Sequence, residues 1–458
     1  MARTKTRDLD IIRGPIGRGL FYLAVPLALT QMLQQLFNAA DIAVVGQFSG
    51  KHAMAAIGSC GPLIGIVITF FFGISVGSTV SISHMIGLGD RKGITRAVGT
   101  SVWLALAGGA LALCVGQIFA VPILRAMSVP EETFAQSLLY FRIYFAGMPV
   151  IVLYNFEAGV FRAYGDARTP LITLVIAGVT NVALNVFFVC GLGMSVEGVA
   201  IATVVSNALS AVLLLCFLNR HPDIDLRAAV QGGFDREMLR RILKIGLPAG
   251  LQSTMFSVSN IIIQAAVNRL GADVIAASSA AFNIEIMGYY VMNGFAQAGT
   301  TYVGQNFGAG QVDRCRSVLR KTLVMDLVAT AAASGLILLS GHFLLSLFNS
   351  DPAILELGYL RLTYISGTCV IQVFIEVFSG AMRGYGFSLV PAVVSIFGIC
   401  GVRVGWVYTA FARNPAFRTL LMCYPLSWAV TAAVMVLVYL AMIRKISRVE
   451  PWTPERTE

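Results

Sequence analysis

The sequence predicts an all-α integral membrane protein of about twelve transmembrane helices, in two six-helix lobes related by a pseudo-two-fold axis along the membrane normal. Composition is the first observation behind this. Apolar residues make up 57% of the chain and charged residues 12%, with a mean hydropathy of +0.78. Soluble domains carry about 25% charged residues. Second, apolar runs of about 20 residues, long enough to span a bilayer, recur along the whole length. Third, the chain repeats itself. Gly159-Val-Phe-Arg162-Ala-Tyr164-Gly165-Asp-Ala-Arg-Thr-Pro170 returns as Gly380-Ala-Met-Arg383-Gly-Tyr385-Gly386-Phe-Ser-Leu-Val-Pro391. The Gly, Arg, Tyr, Gly and Pro positions match at an offset of about 221 residues. Leu23-Ala-Val-Pro26 against Ile245-Gly-Leu-Pro248, and Gly87-Leu-Gly-Asp-Arg-Lys against Gly308-Ala-Gly-Gln-Val-Asp, keep nearly that offset and the same order. Three anchors in one order mark a duplicated half.

The N-terminal half places its spans at 18–44, 54–82, 95–121, 134–159, 170–191 and 196–218. The C-terminal half places them at 242–267, 276–304, 318–342, 356–380, 389–411 and 418–443. Six spans return the chain to its starting side, so both halves share one topology. Residues 1–218 are thus expected to form an N-lobe, 219–241 a cytoplasmic linker and 242–458 a C-lobe. The linker region reads as a polar turn followed by Asp235-Arg-Glu-Met-Leu-Arg-Arg-Ile-Leu-Lys, a short basic amphipathic helix suited to the inner headgroups. Pro26 and Pro248 stand at equivalent places inside spans one and seven. Each removes a backbone hydrogen bond, and the matched pair predicts two hinges.

Orientation follows from the basic residues. Of 33 Lys and Arg, roughly 25 fall on one set of span ends. They include Arg3, Lys5, Arg7, Arg13 and Arg18 before span one, Arg91, Lys92 and Arg96 after span two, and Arg162 and Arg168. Six lie between Arg220 and Lys244; Arg314, Arg316, Arg320, Lys321 and Arg383 follow, then Arg444, Lys445, Arg448 and Arg456. Both termini are therefore expected in the cytoplasm, with the chain in the inner cell membrane. The net charge of +10 is a topology signal, and no basic soluble domain is present to bind nucleic acid.

Several functions lack the residues they need. The eight Cys are scattered through apolar spans with no C-x-x-C pair. The four His show no H-E-x-x-H spacing, and no G-x-x-x-x-G-K-[ST] loop is present. No catalytic residue, metal site or cofactor is expected, and the chain does not read as an enzyme.

Polar residues inside the spans carry the functional argument, because an ionisable group in hydrocarbon is costly and faces the bundle interior. In span one, Gln34, Asn38 and Asp41 share one helix face. Asn181 and Asn185 lie one turn apart in the outer half of span five, and Thr203 and Asn207 share a face of span six. Asp41, Asn181, Asn185 and Thr203 thus sit at similar depth, an oxygen-rich candidate site for a proton or a hard cation. The bland alternative is interhelical hydrogen bonding. In span eight, Glu285 stands with Asn283, Tyr289 and Tyr290, a combination suited to a lipophilic cation; its alternative is pairing with Arg361 or Arg403. Glu157 and Glu376 are expected to pair with Arg162 and Arg383 at the inner ends, and Asp326 has no assigned role.

The Gly-x-x-Arg-x-x-Gly-Asp-x-x-x-Pro element at 159–170, with Tyr164 before the second Gly, resembles the signature of the multidrug and toxic compound extrusion (MATE) family. So does Val303-Gly-Gln305-Asn306-Phe-Gly-Ala309. The resemblance covers residues 15 to 445 and implies a V-shaped transporter of two six-helix lobes. Such a transporter expels organic cations and amphipathic compounds in exchange for H⁺ or Na⁺. Asp41, Asn181 and Thr203 resemble the N-lobe cation site of the DinF-like branch, and Gln34 a nearby cavity residue. Phe37, Asn38, Asn155, Glu285 and Tyr289 complete the expected substrate-binding set. One position departs: the branch reads Asn-x-x-x-Asp in span five, and this chain reads Asn181-Val-Ala-Leu-Asn185, a feature shared with the NorM-like branch. The loss of a second carboxylate leaves H⁺ and Na⁺ both open as the coupling ion. The partners implied are small-molecule cations and the bilayer, with a monomer sufficient. The alternative function is a flippase for lipid-linked sugar or peptidoglycan precursor, which needs a cationic cavity. Its intramembrane material is Arg142, Arg361 and Arg403.

Overall fold

The computed structural model describes residues 10–446, and all regular structure among them is helical. The N-terminal half holds α1 (Ile16–Phe48), α2 (Gly50–Leu88), α3 (Arg91–Ala126), α4 (Glu131–Ala146), α5 (Met148–Ala163), α6 (Arg168–Gly191) and α7 (Val196–Asn219). After the short α8 (Leu226–Gln231) come α9 (Arg236–Asn268), α10 (Ala272–Gly308), α11 (Val312–Ser346), α12 (Pro352–Ser366) and α13 (Cys369–Gly384). The chain ends in α14 (Leu389–Phe411), α15 (Phe417–Leu421) and α16 (Cys423–Ile446). Arg3, Lys5, Arg7, Arg448 and Arg456, used above for orientation, lie outside the described residues.

Among the described residues ten helical segments are long and apolar enough to cross a membrane, and α4 with α5, bent by 48° at their break, make up to an eleventh. Pro149, just past the break at Gly147, cannot donate the hydrogen bond that would carry the helix through. With the 33-residue α9 these segments make up the expected twelve. The seventh helix is present as α9, but Gln252, Ser253, Thr254, Ser257, Asn260 and Gln264 make it less apolar than the rest. The expected surface helix at 235–244 is corrected. No helix breaker separates it from the span that follows, so it forms the first turns of α9. Asp235 caps it, accepting from Met238 N at 2.9 Å.

The repeat anchors have physical causes. Gly165 and Gly386 end α5 and α13 with φ of 80° and 89°, a left-handed conformation open to glycine. Gly89 and Gly310 do the same after α2 and α10, at 71° and 73°. Gly159 leaves room for the Thr79 hydroxyl, and Gly380 for that of Thr300, so the signature glycines seat matching helix contacts.

Two compact units emerge, and they exchange helix ends. One comprises Leu29–Gly250; the other comprises residues up to Ala28 together with Leu251 onward. The division cuts α1 and α9, each two residues past its proline. In the first unit, Gly73 and Gly77 of α2 bring their backbone onto Gly250 and Gly246 of α9. In the second, Gly294 of α10 lies against Ala24 and Ala28 of α1. Small residues let helix backbones approach closely, the main source of helix association in lipid. Large apolar side chains cover the outer faces: Leu339 is 90% exposed and Phe397 72%.

Candidate functional site

Three helices of the first unit meet at Asp41. Asn185 of α6 donates to Asp41 Oδ1 at 2.5 Å, and Thr203 of α7 donates to Oδ2 at 3.3 Å. Asn185 also donates to Asn181 Oδ1 at 3.2 Å, and Asn181 to Thr203 Oγ1 at 3.5 Å. Asn181, Asn185 and Thr203 are buried. The one-turn spacing of Asn181 and Asn185 aims both amides at α1 and α7. Directly after Asn185 the backbone of α6 widens into π-helical turns, Val186–Gly191, and the repeat position in α14 does the same at Val407–Phe411. Such turns recur at functional positions in helices. Among the described residues no cationic side chain forms an ion pair with Asp41. Its charge is met by neutral donors, and Asn185 Oδ1 is buried with no partner.

The other expected residues are dispersed. Gln34 is half-buried on α1, Asn38 is exposed, and Phe37 packs its ring on Gly178 of α6. Asn155 turns back on its own helix, donating to Ile151 O at 2.9 Å, and Asn207 does likewise to Thr203 O at 2.8 Å. Tyr289 accepts from Asn293 at 3.4 Å, within a polar row on α10 that continues to Gln297.

Glu285 requires a correction. Arg361 of α12 holds its carboxylate with both arms of the guanidinium: Nε to Oε2 at 3.1 Å and a terminal nitrogen to Oε1 at 2.6 Å. The two side chains are 9% and 6% exposed. A bidentate, desolvated pair satisfies the acid, so it is not a free carboxylate for an organic cation in this conformation. Asn283 back-bonds to Ser279 O at 2.9 Å and does not join it. The chain between Glu285 and Arg361 carries no local sign of this pairing.

Sequence reasoning also missed what surrounds Arg403. Its guanidinium lies 4.5 Å from the Tyr424 ring centre and 5.8 Å from that of Trp428. It donates to Ser427 Oγ at 3.2 Å and Asn260 Oδ1 at 3.4 Å. Arg361 also lies over Tyr424, at 5.9 Å. With Arg361 neutralised and Arg142 exposed, these residues offer little to a pyrophosphate. Arg383 is 3.9 Å from Glu376, as expected. Arg162 instead lies over Phe72 at 5.3 Å and donates to Ser75 at 3.4 Å, while both oxygens of buried Glu157 have no hydrogen-bond partner.

The MatE family model matches residues 26–187 and again 248–409, the two halves that the repeat predicts. The probable multidrug resistance protein YoeA of Bacillus subtilis is 29% identical over 402 residues, covering 85% of this chain and 86% of its own. The probable multidrug resistance protein NorM of Thermotoga maritima is 27% identical, over 85% and 84%. Among solved structures, the outward-facing conformation of a multidrug resistance MATE family transporter superposes with a TM-score of 0.89. It is 23% identical and covers 97% of this chain and 99% of that one, a likeness that speaks to the fold.

Proposed function

The chain belongs to the MatE family of membrane transporters, and on that premise we propose that it exports organic cations and amphipathic compounds in exchange for H⁺ or Na⁺. Relatives described as multidrug resistance proteins support the cargo class. The observation that carries the coupling is Asp41: a carboxylate among apolar helices, held by two neutral donors.

An acid in that setting can exchange its counter-charge. Ionised, it accepts from Asn185 and Thr203. When a proton or Na⁺ arrives, at least one donor must turn away or move. Asn185 is suited to this, because its unpartnered Oδ1 can take the place of its amino group by a half-turn of the amide. Ion binding at Asp41 thereby changes the hydrogen bonds that tie α1 to α6 and α7. In the cycle, the inward-open state takes up an organic cation. The switch outward exposes Asp41, and ion binding there favours release and resets the protein. The ion drives transport only if it binds the two states with different affinity.

Pro26 and Pro248 are the hinges in this scheme, since each stands two residues before the point where its helix passes from one unit to the other. Replacing either with Ala restores a backbone hydrogen bond and should slow export severalfold without lowering thermal stability; unchanged rates would remove the hinge assignment. The transporter acts as a monomer in the inner cell membrane with both termini cytoplasmic.

The test is export of a fluorescent organic cation from proteoliposomes under an imposed pH gradient or an imposed Na⁺ gradient, applied separately. One gradient should drive export, which names the coupling ion. Export driven by neither sinks the antiport reading.

A further inference from the structure

Asp326 of α11 is fully buried. Its Oδ1 accepts from Thr330 Oγ1 at 3.0 Å, whereas its Oδ2 is buried with no hydrogen-bond partner. Thr322, one turn earlier, is 1% exposed, and its hydroxyl is also unpartnered. Thr322, Asp326 and Thr330 thus form a polar stripe on one face of α11.

The charges around this stripe do not balance. α11 packs against α10, α12 and α13. From α13, Glu376 and Cys369 lie within electrostatic range of Asp326. Arg383, also on α13, is 3.9 Å from Glu376. α10 contributes Tyr289 and Glu285, and α12 contributes Arg361; Glu285 and Arg361 neutralise each other. α1 touches α11 where Gly17 meets Met325, and Arg18 beside it lies over the Tyr22 ring at 5.5 Å. Arg383 is thus matched to Glu376. Among the described residues no cation pairs with Asp326.

An ionised carboxylate with one bare oxygen in such a place is strongly disfavoured. The neutral acid avoids that cost. A hydrated metal cation has no room at an oxygen without accessible surface. The fold itself does not call for an acid here: the repeat position on α3 is Ala105, fully buried, with Ser101 and Gly109 on either side.

We propose that Asp326 is a second proton-binding site, built in the C-terminal half and separate from Asp41, which holds H⁺ as a neutral carboxylic acid while this conformation lasts. The proposal does not depend on the antiport reading, because proton occupancy is measured without transport.

The experiment is infrared difference spectroscopy of the purified full-length protein in lipid nanodiscs, titrated with pH at fixed Na⁺ and with Na⁺ at fixed pH. At neutral pH, wild type should show a protonated-carboxyl C=O band that shifts on isotopic labelling of aspartate. The band should persist in Asp41→Asn, vanish in Asp326→Asn and return displaced in Asp326→Glu. Asp326→Asn mimics the neutral acid, so its thermal stability should match wild type. A spectrum with no label-sensitive carboxyl band at neutral pH overturns the assignment, and this arm needs no variant to fold. Survival of the band in Asp326→Asn overturns it as well. Loss of the band on adding Na⁺ at fixed pH means that a metal cation takes the site and overturns the proton reading.

Discussion

Two intramembrane carboxylates, one in each half, have opposite partners. Asp41 is met by an amide and a hydroxyl, at 2.5 and 3.3 Å. Glu285 is gripped by both arms of Arg361, at 2.6 and 3.1 Å. What separates the two acids is the charge of the partner. A carboxylate held by neutral donors can gain a proton or a cation by rearranging hydrogen bonds. One locked to a guanidinium must first break an ion pair, and doing so leaves two desolvated charges. The repeat gave both halves one architecture, and under the proposed antiport the choice of partner gives the two acids different roles.

The comparison breaks if the two acids prove interchangeable. Asp41→Asn should lower gradient-driven export by about 100-fold, near the upper end of ordinary coupling energies, while Glu285→Gln should cost less than about tenfold. Stability should show the reverse order. Arg361→Met strands Glu285 without a counter-charge and should destabilise the protein by about 3–5 kcal/mol, read as a fall in melting temperature. Adding Glu285→Gln to Arg361→Met should restore most of that loss, which separates an ion pair from a packing effect. The two neutral donors then sharpen the picture. Asn185→Ala, which removes the shorter bond to the carboxylate, should cut driven export about tenfold; Thr203→Val, at the longer bond, should cut it about threefold. Equal effects from both would mean that Asn185 has no special part in the exchange.

Much of this was legible in the chain. The duplication, the helical class and the Asp41 cluster follow from glycine anchors, apolar runs and i, i+4 spacing, because these are local signals. The exchange of helix ends was not legible. It depends on Gly73, Gly77, Gly246 and Gly250 meeting across the bundle, and a glycine inside an apolar run does not reveal what it faces. The partner of Glu285 was hidden for the same reason: two arginines were candidates, and sequence order does not choose between them. The seventh helix illustrates a different limit, since the polar residues that lower its hydropathy, Gln252 and Ser259, are buried at 4% and 1%.

The most direct test of the central claim compares wild type, Asp41→Asn and Glu285→Gln in one proteoliposome assay. Efflux of a fluorescent organic cation is followed under whichever ion gradient drives wild type. The account predicts that Asp41→Asn loses gradient-driven efflux while Glu285→Gln keeps it. Driven efflux retained by Asp41→Asn and lost in Glu285→Gln would contradict it.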